Sequence, residues 1–138
     1  MLTRYFSLDV VHATPPVVIH MSQYESATTL VFALYSSDGV LDMPIAAAGV
    51  SAKINGTKSD NSGISMGAVY SYSDGTPYVT VQVTRQMTAT AGKNIFELCI
   101  DYNDKSLYTS NFFLQIERAA LDQDNEENQF VYAEGEDF

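Results

Sequence analysis

The sequence predicts an all-β domain built as a two-sheet antiparallel β-sandwich. Three observations support this. Apolar and polar residues alternate through most of the chain, turn-forming clusters separate these runs at short intervals, and almost no segment has a helical period. The chain has 138 residues, of which 46% are hydrophobic and 17% charged, so it can bury one real core.

Seven segments have the alternation expected of strands that are buried on one face. The first follows Pro15-Pro16, whose rings stiffen the backbone that leads into it. The clearest one lies at residues 79–83, where valines alternate with polar residues. The predicted strands are 17–21, 28–35, 50–55, 64–72, 79–83, 96–102 and 112–116.

Clusters of Gly, Asp, Asn and Ser separate these strands and predict turns. They lie at 37–39, 58–63, 73–77 and 102–105. About seven strands in roughly 120 residues is typical of an immunoglobulin-like domain. The fold class is therefore an immunoglobulin-like antiparallel β-sandwich of about seven strands, with a short helical turn and an acidic C-terminal tail. The missing cysteine pair and tryptophan exclude a true antibody domain.

Residues 86–92 lack alternation and end in glycine, which predicts one helical or 3₁₀ turn between strands. We expect Met87 to point inward there, as a flexible side chain that fills a gap in the core. The core itself is predicted from the inward positions of the strands. Its members are Leu30, Phe32, Val79, Val81, Val83, Leu98, Ile100, Phe112 and Leu114.

Charge divides the chain into a domain at 1–120 and an acidic tail at 121–138. The domain holds 7 basic and 10 acidic residues, whereas the tail holds 7 acidic residues and no basic one. Such a block is typical of a solvated, disordered end. The tail also carries large apolar side chains, which disordered tails generally lack. We therefore expect a docking arm whose partner-binding residues are Phe130, Val131, Tyr132 and Phe138.

The charge balance and the hydropathy pattern exclude two kinds of partner. Phosphate binding needs clustered Lys and Arg, which this chain lacks, so no nucleic acid is expected. No apolar run approaches the length of a membrane span, so no membrane partner is expected.

No motif in the sequence predicts catalysis, a cofactor or a metal site. Gly63-Ile64-Ser65-Met66-Gly67 matches a nucleophile elbow, but a strand is predicted to continue where the elbow needs a helix, and both histidines precede Ser65. Cys99 is expected to be a small buried residue without the basic neighbours that activate a thiol. Asp122, Asp124 and Glu126 match only the start of a calcium loop, which leaves open a weak adventitious cation site.

The order of several segments resembles the phage baseplate upper protein family, in its amino-terminal immunoglobulin-like domain. The most specific match is the helical-turn loop at 84–92, and the matches together run in order over nearly the whole domain. The matching segments are 8–11, 14–20, 29–35, 54–60, 84–92, 110–117 and 119–121. Two family segments that usually contain glycine, Gln-Gly-Asp and Lys-Pro-Asp-Gly, read here Gln23-Tyr24-Glu25 and Lys58-Ser59-Asp60-Asn61.

The resemblance implies a non-enzymatic phage virion structural protein, an adaptor of the tail baseplate or host-adhesion apparatus. It implies other virion structural proteins as partners, a homo-oligomer within a larger assembly, and a place in the virion after synthesis in the host cytoplasm. One alternative is a stand-alone capsid or neck protein that decorates the particle or anchors fibres. Another is a carbohydrate-binding module, in which Tyr70, Tyr72 and Tyr78 form an exposed aromatic platform.

Overall fold

The computed structural model describes residues 2–120 and shows an all-β domain with one short helix. No helix in this range is long and apolar enough to cross a membrane. The elements, in chain order, are β1 (Leu2–Asp9), β2 (Val17–Ser22), β3 (Thr28–Tyr35), β4 (Ser51–Thr57), β5 (Gly63–Ser73), β6 (Thr76–Gln82), α1 (Arg85–Thr88), β7 (Gly92–Tyr102), β8 (Lys105–Tyr108) and β9 (Phe112–Glu117).

The strands form one continuous sheet in the order β1-β3-β6-β5-β4-β7-β9-β2, and β8 pairs with β7. Strand β5 belongs to both halves of this sheet, because residues 63–68 pair with β4 whereas residues 69–73 pair with β6. The sheet curves back on itself in a barrel-like way. Phe32 of β3 packs on Phe112 of β9 with ring centroids 4.8 Å apart, so the two halves share one core.

The number of strands and the pairing differ from the prediction. The described residues form nine strands rather than about seven, and two pairs are parallel: β1 with β3, and β2 with β9. Strand β1 was not predicted because it lies at an edge and is largely exposed, which weakens its hydrophobic alternation. The all-β class is confirmed, while the immunoglobulin-like arrangement stays a prediction.

All nine predicted core residues are buried. Phe112 lies at the centre of this core, since Phe96 also stacks on it at a centroid distance of 6.1 Å. Such a core stabilises the fold by roughly 25 cal/mol for each Å² of apolar surface removed from water.

The predicted helical turn is confirmed as α1. Thr84 caps it by accepting a hydrogen bond from the backbone N–H of Met87 at 3.3 Å. Met87 is fully buried, as predicted. Thr88 donates its hydroxyl hydrogen to the Glu25 carbonyl at 2.8 Å, which ties α1 to the loop after β2.

Two of the predicted turns are two-residue turns of β-hairpins. Asp74 and Gly75 join β5 to β6, and Asn103 and Asp104 join β7 to β8. All four residues have positive φ, as a type I′ turn requires. Each turn fixes the register of its hairpin and so decides which side chains share a face.

Candidate interaction surfaces

The outward side of β1, β3, β5 and β6 carries no charged side chain among the described residues, apart from the enclosed Asp9 discussed below. We call this surface the uncharged face. Strand alternation and register place its members on one side of the sheet. They are Thr3, Tyr5, Ser7, Thr29, Val31, Ala33, Tyr35, Val69, Ser71, Ser73, Thr76, Tyr78, Thr80 and Gln82.

One row of side chains crosses all four strands of the uncharged face. Tyr5 pairs with Val31, Val31 with Thr80, and Thr80 with Val69. The two ends of the row are exposed, Tyr5 at 73% and Val69 at 65%. Between these ends lie Val31 and Thr80, so the row offers a strip of uncharged surface, apolar on three of its four strands, that a protein partner can cover.

Among residues 2–120, the only carboxylate on this side is that of Asp9, and it is enclosed. Backbone N–H groups donate to it from Val11 at 3.0 Å, Ser37 at 3.1 Å and Ala13 at 3.4 Å. Burial alone would raise the pKa of Asp9, but these hydrogen bonds outweigh it, and the pKa lies below its ordinary value. Asp9 therefore organises the loops at one end of β1 and β3 and adds little charge to the surface.

A shallow depression adjoins the uncharged face where β3 and the β5–β6 turn end. It has a volume of about 560 Å³, and Ala33, Tyr35, Val40 and Gly75 contribute to its lining. Val40 is 95% exposed. The depression extends the apolar part of the face onto the loop that follows β3.

The opposite outer surface, on β2, β4, β7 and β9, carries both signs of charge. We call it the charged face, and its charged members are Lys53, Lys93, Glu97, Asp101 and Glu117. An apolar row also crosses it, where Ile95 pairs with Phe113 and Phe113 with Val18. The Lys93 ammonium lies 4.0 Å from the Phe113 ring centroid, so a cation covers part of this row.

The turn between β4 and β5 is fastened to the segment after α1. Ser59 donates its hydroxyl hydrogen to the Ala91 carbonyl at 2.6 Å, and its N–H donates to the Asn94 side chain at 2.9 Å. Asn94 is buried and also donates to the carbonyls of Thr90 and Leu114. These hydrogen bonds hold the turn against the segment after α1, and they use the polar groups of Ser59 and Asn94 internally.

The residues considered for chemistry occupy structural positions. Ser65 lies within β5, which continues as a strand to residue 73, so the sharp turn of a nucleophile elbow is absent there, as expected. Cys99 is buried, as expected, and burial raises the pKa of its thiol. Within residues 2–120, no cluster of three or more potential ligands could hold a metal ion. Asp122, Asp124 and Glu126 lie outside the described residues.

The three tyrosines considered for sugar binding do not share a surface. Tyr70 is 5% exposed and donates its hydroxyl hydrogen to the Pro44 carbonyl at 2.6 Å. Tyr72 pairs with Pro77 across the hairpin and packs against the core, so Tyr78 points to the opposite side. The expectation of one exposed platform is wrong. The two-residue turn sets Tyr72 opposite Pro77, so the next residue, Tyr78, lies on the other face of the sheet.

The predicted docking residues Phe130, Val131, Tyr132 and Phe138 lie outside the described residues, so the docking arm stays a prediction. The uncharged face was not predicted, because it depends on strand order. Its sequence signal is that residues 26–37, 61–73 and 75–84 contain no Asp, Glu, Lys or Arg.

The class defined so far is an all-β domain with one uncharged and one charged outer face. No protein-family model matches the chain, and no curated protein sequence matches it. Among solved structures, the N-terminal domain of phage TP901-1 ORF48 is similar, with a TM-score of 0.58. The two are 11% identical, and the match covers 85% of this chain and 99% of that domain. At this identity the likeness shows a shared fold.

Proposed function

We propose that this chain is a structural protein of a phage virion and works as an adaptor in the tail baseplate or host-adhesion apparatus. The observation that carries the proposal is the fold likeness, which spans 99% of a domain from a phage protein. The segments that resemble the baseplate upper protein family support it, since most of them lie in strands or in the loop that contains α1. An adaptor acts through surfaces, and we assign no reaction to this chain.

The two outer faces support a binding role. A sheet whose outer side lacks charge can pack against a partner without burying unpaired ions, which would cost several kcal/mol each. The charged face offers ionic contacts to a different neighbour. Two chemically distinct surfaces on one domain suit a component that contacts two neighbours at once.

The test is to locate the chain in intact particles of the phage that encodes it. Gold-labelled antibody against the chain is expected to mark the tail tip in electron micrographs. Label on the capsid or neck would instead support the decoration or fibre-anchoring alternative. Purified particles that contain no copy of the chain by mass spectrometry would overturn the proposal.

We further propose that residues 121–138 are a docking arm for a neighbouring virion protein. The support comes from their sequence, which places Phe130, Val131, Tyr132 and Phe138 among seven acidic residues. Apolar side chains would fill pockets, and the carboxylates would meet Lys and Arg of the partner. Ordering the arm on contact costs entropy that these anchors must offset.

The arm is tested with a shortened chain that ends at Leu121. It should bind the isolated tail proteins more weakly than the full chain, with the largest loss at low salt. Equal binding at low and high salt would contradict a docking role. A lower melting temperature of the shortened chain on its own would show instead that the arm packs on its own domain.

A further inference from the structure

We propose that the uncharged face binds a second copy of this chain, face to face. The inference rests on the geometry of this face and does not depend on the function proposed above. Three features of the face point to this occupant: its lack of exposed charge, the alternation of large and small side chains, and the position of two acidic residues beyond one of its ends.

The net charge of the chain makes the uncharged face the favourable place for self-contact. Each copy carries a net charge of −10, of which residues 1–120 contribute −3 and residues 121–138 contribute −7, so two copies repel each other as whole chains. Close approach through the uncharged face brings no pair of like charges into contact, and salt screens charges beyond about 8–10 Å. A strongly basic partner would gain little from a face whose one carboxylate among the described residues, that of Asp9, is enclosed. An identical acidic chain avoids its main penalty there.

The relief of the face is self-complementary. Two adjacent rows cross the face, one of Tyr5, Val31, Thr80 and Val69 and the other of Ser7, Ala33, Tyr78 and Ser71. On each strand one row holds the larger residue and the other row the smaller one. Turning a second copy end for end, with each strand over its own counterpart, lays the larger residue of one copy over the smaller residue of the other on all four strands. A two-fold axis of this kind produces an isologous contact, the commonest kind in homodimers.

Two acidic residues beyond one end of the face favour the same orientation. Asp38 lies in the loop that follows β3, and Asp74 lies in the turn between β5 and β6, so both lie beyond the same end of the face. The end-for-end arrangement places them over the opposite end of the other copy, where Thr3, Thr29 and Gln82 lie. Asp38 and Asp74 of one copy then lie far from the same two residues of the other copy.

The size of the face sets the strength of the contact. Four strands spaced about 4.8 Å apart, with about seven residues of roughly 3.3 Å each, span roughly 440 Å². Two such faces bury less than the roughly 1,200 Å² of a standard stable interface. We therefore expect a reversible dimer whose population rises with concentration.

The experiment is sedimentation velocity of the full-length chain over a concentration series at moderate salt. Val69→Asp on the uncharged face is compared with Val18→Asp on the charged face. Both replace an exposed valine in a strand, at 65% and 46% exposure, and both add the same charge. Circular dichroism melting establishes that each variant is folded, and Tyr5→Ser on β1 serves as a second, uncharged disruption.

The expected result is a concentration-dependent dimer that persists in Val18→Asp. In Val69→Asp, its dissociation constant should be raised at least tenfold, and Tyr5→Ser should weaken it by a smaller factor. The proposal is overturned if the unmodified chain stays monomeric at all concentrations. It is equally overturned if Val69→Asp and Tyr5→Ser dimerise as well as the unmodified chain, or if Val18→Asp abolishes the dimer to the same extent.

Discussion

The uncharged face and the charged face cover one core, and an exposed apolar row crosses each of them, yet they differ in the charged side chains that surround this row. The same inward side chains support both, so the stability of the fold does not require that one face be free of charge. On the charged face, ions accompany the exposed apolar row, and Lys93 lies on Phe113. On the uncharged face, Tyr5 and Val69 stand open without an ion beside them. The outward residues, and not the core, therefore determine which kind of partner each face suits.

The largest expected effect separates the two sides of the uncharged half. Val81→Asp places an unpaired charge among buried residues and should cost about 3–5 kcal/mol, enough to unfold the domain. Val69→Asp, on the exposed side of the adjacent strand, should change the free energy of unfolding by less than about 1 kcal/mol. Urea unfolding measures both. A soluble Val81→Asp variant with unchanged melting would mean that the sheet faces are assigned wrongly.

The next effect compares two glycines of the other half. A Cβ at Gly56 would lie 2.4 Å from the Phe96 ring, which is buried and cannot move aside, whereas a Cβ at Gly67 meets nothing within 4 Å. Gly56→Ala should therefore destabilise the domain by about 1–3 kcal/mol, and Gly67→Ala should be neutral or slightly stabilising. Thermal melting of the two variants side by side tests this. Equal melting temperatures would contradict the close approach of β4 and β7.

A third experiment tests the enclosed carboxylate beside the uncharged face. The folded-state pKa of Asp9 is lowered, so its stabilising contribution is present above the ordinary value of 3.8 and is lost as pH falls through the folded value. Asp9→Asn should lower the melting temperature at neutral pH, and the difference from the unmodified chain should shrink in acid. Asp42→Asn, at an exposed loop position, controls for the loss of one negative charge. A difference that stays constant from neutral pH into acid would remove the role given to Asp9.

The smallest effect concerns backbone strain at Asn61, where the resemblance to the baseplate family places a departure from glycine. Asn61 has a φ of 71°. Asn61→Ala should cost about 1 kcal/mol, because alanine tolerates left-handed backbone poorly, while Asn61→Gly should be close to neutral. Differential scanning calorimetry resolves the two. Equal stability of the alanine and glycine variants would show that this turn relaxes without cost.

The alternation of strands such as β3 and β6 was predictable because each buries one side against the core and exposes the other. Strand β1 was not predicted, because an edge strand buries few side chains and Leu2 to Ser7 are mostly exposed. The parallel pairing was not predicted either, since apolar and polar residues alternate in the same way in parallel and antiparallel strands. The strand pattern can therefore be derived from residues alone, whereas neighbours and directions depend on long-range packing.

The candidate surface was harder to predict than the core. Its absence of charge is visible in the sequence, but only the order β1-β3-β6-β5 brings the uncharged segments together. The outward position of Tyr78 could have been predicted from the sequence. The Asp74-Gly75 pair predicts a two-residue turn, and such a turn sets Tyr72 opposite Pro77 and so turns Tyr78 outward. The departures at Tyr24 and Asn61 also had structural meaning, because both residues have positive φ.

The position of β2 at one end of the strand order has a consequence for synthesis on the ribosome. Strand β2 (Val17–Ser22) pairs with β9 (Phe112–Glu117). The second strand to be synthesised therefore cannot form this pairing until the last strand of the described domain has been synthesised. Until then Ile19 and Met21, buried in the finished domain, have no sheet to join. Contacts of such long sequence separation slow folding, and unpaired strand edges promote aggregation of the unfinished chain. Arrest of translation before residue 112 should leave β2 open to protease, and release of the full chain should protect it.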